Sequence, residues 1–141
     1  MSGESTTPDL VELVRGSFEA ADRRDFDALM IFYAPDAVWD MSPFGMGTFE
    51  GLAAIRGFFE DWMRAYEEYE MEPEEILDLG NGVGFVVTRL TGRPVGAASG
   101  LTRRRPLAFV WVEGLVARVT APSSDIDEAR AAAERLAESR E

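Results

Sequence analysis

The stretch Leu52-Ala53-Ala54-Ile55-Arg56-Gly57-Phe58-Phe59-Glu60-Asp61-Trp62-Met63-Arg64-Ala65-Tyr66-Glu67-Glu68-Tyr69 sets Leu52, Ile55, Phe59, Trp62, Tyr66 and Tyr69 at intervals of three and four. That spacing predicts one long amphipathic helix, reaching Tyr69, with an unusually aromatic stripe. A row of rings at helical spacing ordinarily packs on a sheet as core, so the flanking sequence should supply the sheet.

Before the helix, 44–51 holds three glycines and reads as a loop. Ala37-Val38-Trp39-Asp40-Met41 lies between Pro35-Asp36 and Ser42-Pro43 and reads as the first strand. Further back, Asp25 caps a short helix carrying Phe26, Leu29, Met30 and Tyr33, which Pro35 stops. Thr7-Pro8-Asp9 opens a first helix whose apolar face (Leu10, Val11, Leu13, Val14, Phe18, Ala21) runs to about Arg23.

After the helix, the acidic run from Glu67 to Glu75 reads as a solvated helix end and strand entry. Ile76, Leu77 and Leu79 lead into the turn Gly80-Asn81-Gly82, and Val83, Phe85, Val86, Val87 and Leu90 return as a second strand. Residues 91–100 read as a loop or bulged turn. Leu107 to Val112 and Leu115 to Thr120 form the last hairpin, around Glu113-Gly114. Ser124-Asp125-Ile126-Asp127 reads as a capping box opening a thinly apolar, weakly packed terminal helix over about 125–138. The order predicts an α+β domain over 1–141, with its core over about 8–121 and its helices against one curved antiparallel sheet.

The chain has 141 residues, enough for one core, and 46% of them are hydrophobic. Its 26 acids against 14 bases give a net charge of −12, which repels phosphate backbones and anionic lipid, so neither nucleic acid nor membrane is an expected partner. Without cysteine or histidine there can be no disulfide, thiolate nucleophile or Ser-His-Asp triad, and no metal or cofactor is expected. The first seven residues lack the basic flank and apolar run of a signal peptide, so the expected location is cytoplasmic.

The segment from Phe32 to Asp40 (Phe-Tyr-Ala-Pro-Asp-Ala-Val-Trp-Asp) and that from Phe49 to Phe59 (Phe-Glu-Gly-Leu-Ala-Ala-Ile-Arg-Gly-Phe-Phe) resemble two motifs of the SnoaL-like group in the nuclear-transport-factor-2-like superfamily. Glu113-Gly114-Leu115-Val116-Ala117-Arg118 is similar to that group's last turn. The resemblance implies a cystatin-like cone, in which a bent sheet wraps the third helix around an apolar cavity, with dimerisation through the sheet. Members of the superfamily include isomerases, dehydratases, epoxide hydrolases and polyketide cyclases. Expected cavity walls are Phe18, Tyr33, Trp39, Trp62, Tyr66, Phe85, Phe109 and Trp111. Many relatives carry histidine where this chain has Asp40 or the Ala108-Phe109 pair, so a histidine-based cyclase mechanism is ruled out by composition.

Asp40 falls where the resemblance implies a carboxylate base, and surrounding rings would raise its pKa toward the useful range. Strand alternation opposes this: with Trp39 facing the cavity, Asp40 faces away unless a bulge intervenes. Arg89 could hold an enolate or carboxylate, and Tyr33 or Tyr66 could donate to an oxyanion. Asp61 reads as exposed. Arg103-Arg104-Arg105 reads as a cluster paired with acids that guards a strand edge. Gly80-Asn81-Gly82-Val83-Gly84 opens onto a strand, not a helix, and is no nucleotide loop.

Three functions follow. The first is a small hydrophobic molecule-binding protein. The second is a cofactor-independent isomerase, cyclase or dehydratase acting on a hydrophobic carbonyl compound, with Asp40 as base and Tyr66 or Arg89 holding the oxyanion. The third is a homodimeric interaction module using an apolar outer face of the Phe109 to Val119 hairpin.

Overall fold

The computed structural model describes residues 10–140; the expected Thr7-Pro8-Asp9 helix start lies outside them. In chain order the elements are α1 (Leu10–Asp22), α2 (Phe26–Ile31), β1 (Tyr33–Asp40), a 3-10 turn (Ser42–Phe44), β2 (Thr48–Glu50), α3 (Leu52–Arg64), β3 (Tyr66–Gly80), β4 (Val83–Pro94), β5 (Leu101–Val112), β6 (Leu115–Thr120) and α4 (Ile126–Ser139). The strands form one open sheet in the order β2-β1-β6-β5-β4-β3.

The sheet is mixed, not wholly antiparallel as expected, because β1 runs parallel to β6. Parallel neighbours need a long crossover, and everything from β2 to β5 lies between these two strands in the chain. Tyr33 belongs to β1 and not to the preceding helix. The Phe32 carbonyl accepts from the Val116 amide at 2.8 Å and starts the pairing, while Asp25 caps α2 as expected by accepting from the Ala28 amide. Pro35 sits where the β1 ladder is irregular, between Tyr33 and Val38.

The aromatic helix ends at Arg64, five residues short of Tyr69, and the acidic run lies inside a strand of 15 residues. Tyr66 through Gly80 pairs along the whole of β4, which also takes 91–94 of the expected 91–100 loop into strand. Continuous pairing of this kind outweighs local helical spacing. A register shift between Pro73 and Glu75 exchanges the two faces of β3. Tyr69, Met71 and Ile76 thus pack with the inner core, whereas Leu77 and Leu79 pack with the outer one.

The inner core joins α1, α2 and α3 to the sheet through Phe18, Leu29, Tyr33, Trp39, Ile55, Phe59, Phe109 and Trp111. Gly84 lets α1 approach the sheet, since a Cβ there would stand 2.8 Å from Leu10 Cδ2. The outer core is smaller. α4 lays Ala129 and Ala133 on Phe85, Val87 and Ala108, and this close seat is firmer than the weak packing its composition suggested. Arg130 pairs with Glu75 at 2.6 Å, and Asn81 Nδ2 donates to the Ala137 carbonyl at 2.7 Å. The α4 cap is Asp125, which accepts from the Glu128 amide at 2.9 Å, one residue beyond the expected Ser124.

Two hairpins turn on residue pairs that both have positive φ, Asn81-Gly82 (55° and 79°) and Glu113-Gly114 (53° and 82°). Such turns match the twist of the strands they join.

Candidate functional site

A hollow of about 60 Å³ lies between the helices and the inner face of the sheet. Its buried floor includes Phe18 from α1, Leu29 from α2, Tyr33 and Trp39 from β1, Phe59 from α3, and Leu107 and Phe109 from β5. Phe58, Trp62, Tyr69, Met71 and Arg105 line it while keeping partial exposure, and so form its rim. Trp39 is the hub of the rings: its centroid lies 4.8 Å from Phe59, edge on, 5.9 Å from Phe58, 6.2 Å from Tyr33 and 6.5 Å from Phe109.

Few polar atoms reach this space. Ser17 Oγ donates to the Val14 carbonyl at 2.8 Å, and the Tyr69 hydroxyl lies 3.3 Å from Met71 Sδ. Trp39 Nε1 and Thr88 Oγ1 are buried with no hydrogen-bond partner among the described residues. Burial raises the Tyr33 phenol pKa, so the group stays protonated at neutral pH. Tyr69 is raised likewise, first by burial. The Arg105 guanidinium sits 5.1 Å above the Trp62 ring, and burial, followed by the neighbouring Arg103 charge, lowers its pKa.

The family model of the SnoaL-like domain matches residues 14–119, from within α1 through nearly all of β6. The chain belongs to the SnoaL-like family. Among solved structures, an NTF2-like protein of unknown function from Burkholderia pseudomallei K96243 aligns at 24% identity and a TM-score of 0.70, over 84% of this chain and 92% of that one. A proposed polyketide cyclase from Sinorhizobium meliloti aligns at 28% identity and 0.64, over 77% and 92%. TerC, co-crystallised with polyporic acid, aligns at 18% and 0.69, over 88% and 97%. No curated protein matches the chain.

Within this SnoaL-like fold, Phe18, Tyr33, Trp39, Trp62 and Phe109 line the hollow together. Phe85 does not: it alternates with Val86 on β4, so it faces α4 on the other side of the sheet, with Arg130 5.6 Å over its ring. Trp111 belongs to the inner core and stacks on Phe109 at 6.4 Å, beyond the hollow's lining. Tyr66 opens β3, 5.4 Å from Tyr69, and is also outside the lining, because α3 ends before it.

The residues expected to carry chemistry are dispersed. Asp40 lies outside the hollow, since Trp39 takes the inner face. Its Oδ1 accepts from the Ser42 hydroxyl at 2.6 Å, the Ser42 amide at 3.0 Å and Thr48 Oγ1 at 3.2 Å, and its Oδ2 accepts from Arg118 Nη2 at 3.0 Å. These bonds, led by those from Ser42, lower its pKa, opposite to the rise a general base would need. Arg89 is exposed and pairs with Glu72 at 3.6 Å. Asp61 is exposed as expected and pairs with Arg64.

The arginine triplet corrects its own expectation. β5 is an interior strand, so it guards no edge; Arg104 pairs with Glu74 at 2.7 Å, but Arg105 turns to the hollow. Sequence reasoning missed Arg105, Thr88, Tyr69 and Met71. The Arg103 to Arg105 strand and the alternation of Val86, Thr88 and Leu90 held the signal, had 101–106 been read as strand.

Among the described residues, no three Asp or Glu side chains converge as a metal site, and no helix is long and apolar enough to cross a membrane. α4 packs on Phe85, Val87 and Ala108, next to the Phe109 to Val119 hairpin whose outer face was expected to meet a partner molecule.

Proposed function

We propose that the protein binds a small, largely apolar molecule in the hollow walled by Phe18, Tyr33, Trp39, Trp62 and Phe109. The observation that carries this reading is space left inside a ring cluster whose members otherwise meet at centroid distances of 4.5 to 6.5 Å. A volume of about 60 Å³ holds a few water molecules, but is less than half of the roughly 150 Å³ cavity that takes up benzene. A compact ligand therefore fits directly, and an aromatic one enters by displacing Met41 or Met71, whose unbranched chains rearrange readily. Two structures of similar fold contain small molecules, polyporic acid in one and trimethylamine in the other, which is in keeping with a ligand role.

Binding is favoured over proton-transfer catalysis because the lining contains no carboxylate, and Asp40 is held outside by Ser42, Thr48 and Arg118. The second reading, an isomerase or cyclase of a hydrophobic carbonyl compound, retains one supporting group: the protonated Tyr33 phenol, a hydrogen-bond donor at the floor.

The test is saturation-transfer NMR with toluene and benzamide on the wild type and on Ala21→Leu, which fills the hollow from α1. Binding to the wild type that is lost in a folded Ala21→Leu supports the reading. Absence of binding to the wild type, or binding unaffected by the substitution, overturns it.

A further inference from the structure

We infer that Arg105 and Thr88 form a recognition point for an anionic oxygen, a carboxylate, enolate or phenolate, carried by the otherwise apolar ligand; this rests on reading the hollow as a ligand site. The two residues are direct cross-strand partners on β4 and β5, and both line the hollow. Cross-strand partners on one face bring their side chains within reach of a common group.

Each contributes a different half of the site. Thr88 is 3% exposed, and its hydroxyl has no hydrogen-bond partner among the described residues. Leaving such a group unsatisfied is costly, and a ligand acceptor would remove that cost. Arg105 brings a fork of donors suited to a two-oxygen anion, and its guanidinium already sits over the Trp62 ring, 5.1 Å from the centroid. Its place on the rim lets the charged end of a ligand stay near water while the apolar end enters among Phe18, Trp39 and Phe109. Burial lowers the Arg105 pKa, which is the condition in which an arriving anion gains most from the pairing.

Benzoate and benzamide, nearly identical in shape and different in charge, are the probes, titrated into the full chain and followed by ligand-observed NMR. Benzoate is expected to bind the wild type about tenfold more tightly than benzamide, as one charge-assisted contact allows. Arg105→Met keeps the stem packed on Trp62 and should bring benzoate down to the benzamide affinity while leaving benzamide within about twofold. Thr88→Val should weaken benzoate about threefold to tenfold yet raise the Tm of the free protein, because it removes a buried unsatisfied hydroxyl at constant shape. A merely structural threonine would not separate those two effects.

Equal affinities for the two probes in the wild type, or a benzoate preference that survives in Arg105→Met, overturns the anion site and leaves the binding reading standing. Equal losses of both probes in Arg105→Met assign Arg105 to supporting Trp62 and also overturn it. If neither probe binds the wild type, the underlying reading falls and this inference falls with it.

Discussion

Asp40 and Arg118 meet at 3.0 Å across neighbouring strands, with Ser42 and Thr48 closing the remaining sides of the carboxylate. The arrangement fixes the chain as it leaves β1 for the 3-10 turn, so the carboxylate acts on structure rather than on a ligand.

Asp40→Asn should therefore leave probe binding unchanged and cost about 1 kcal/mol or less of stability, since Arg118 is partly exposed and screened. The folded-state pKa of Asp40 is lowered, so its contribution is present above about pH 4, the usual aspartate range, and is lost as pH falls through the lowered value. Urea unfolding at neutral and acid pH should show a wild-type advantage at neutral pH that narrows in acid. An advantage that grows in acid would contradict the assignment.

Trp39 is the ring on which Tyr33, Phe58, Phe59 and Phe109 converge. Trp39→Ala is expected to cost about 3–5 kcal/mol, the range for emptying a large aromatic site. Trp39→Phe should cost less and enlarge the hollow, admitting toluene more readily. Denaturant midpoints and toluene NMR titration check both parts; a Trp39→Phe protein that binds toluene less well would show that the indole is a ligand contact rather than a space filler.

Glu113 adopts φ 53° at the β5–β6 turn, a conformation asparagine tolerates better than glutamate. Glu113→Asn should raise stability by about 0.5–1 kcal/mol, visible as a higher Tm. Gly114→Ala, at φ 82°, should lower it.

Ala133 is 1% exposed on the α4 stripe that meets Phe85 and Ala108. Ala133→Leu should cost about 1–3 kcal/mol by overpacking, whereas Arg135→Ala on the exposed side should stay within about 0.5 kcal/mol. Chemical denaturation of the two variants side by side separates a seated helix from a loosely attached one.

Apart from β2, which falls in the stretch 44–51 read as loop, the element order and most of the ring cluster were legible because Ile55, Phe59 and Trp62 repeat at helical spacing and Trp39 and Phe109 sit within short strand-like runs. What escaped depends on pairing over long distance. Tyr66 and Tyr69 continue the helical spacing of α3, yet belong to β3, because β4 offers a complete ladder. The facing of Phe85 was ambiguous because β4 is apolar on both sides, with Val86 against the inner core and Val87 against α4. Arg105 looked like part of a surface cluster, since nothing local tells which member of three consecutive arginines turns inward. Alternation set Trp39 and Asp40 on opposite faces without saying which of them faces inward; Trp39 lines the hollow and Asp40 does not.

The strand β3 lies at one margin of the sheet and carries Glu67, Glu68, Glu70, Glu72, Glu74, Glu75 and Asp78; five of these acids pair with arginines, and the Met71 amide donates to Asp22 Oδ1 at 3.2 Å. A second molecule adding itself there would bring two such acidic strands to about 5 Å, the spacing between neighbouring strands, which adds to the repulsion between chains of net charge −12. Acidifying toward the isoelectric point near 4.4 removes that repulsion while leaving the hydrogen-bonding groups in place. The acidic margin is thus one guard against strand-to-strand addition, and mild acid is the condition that weakens it.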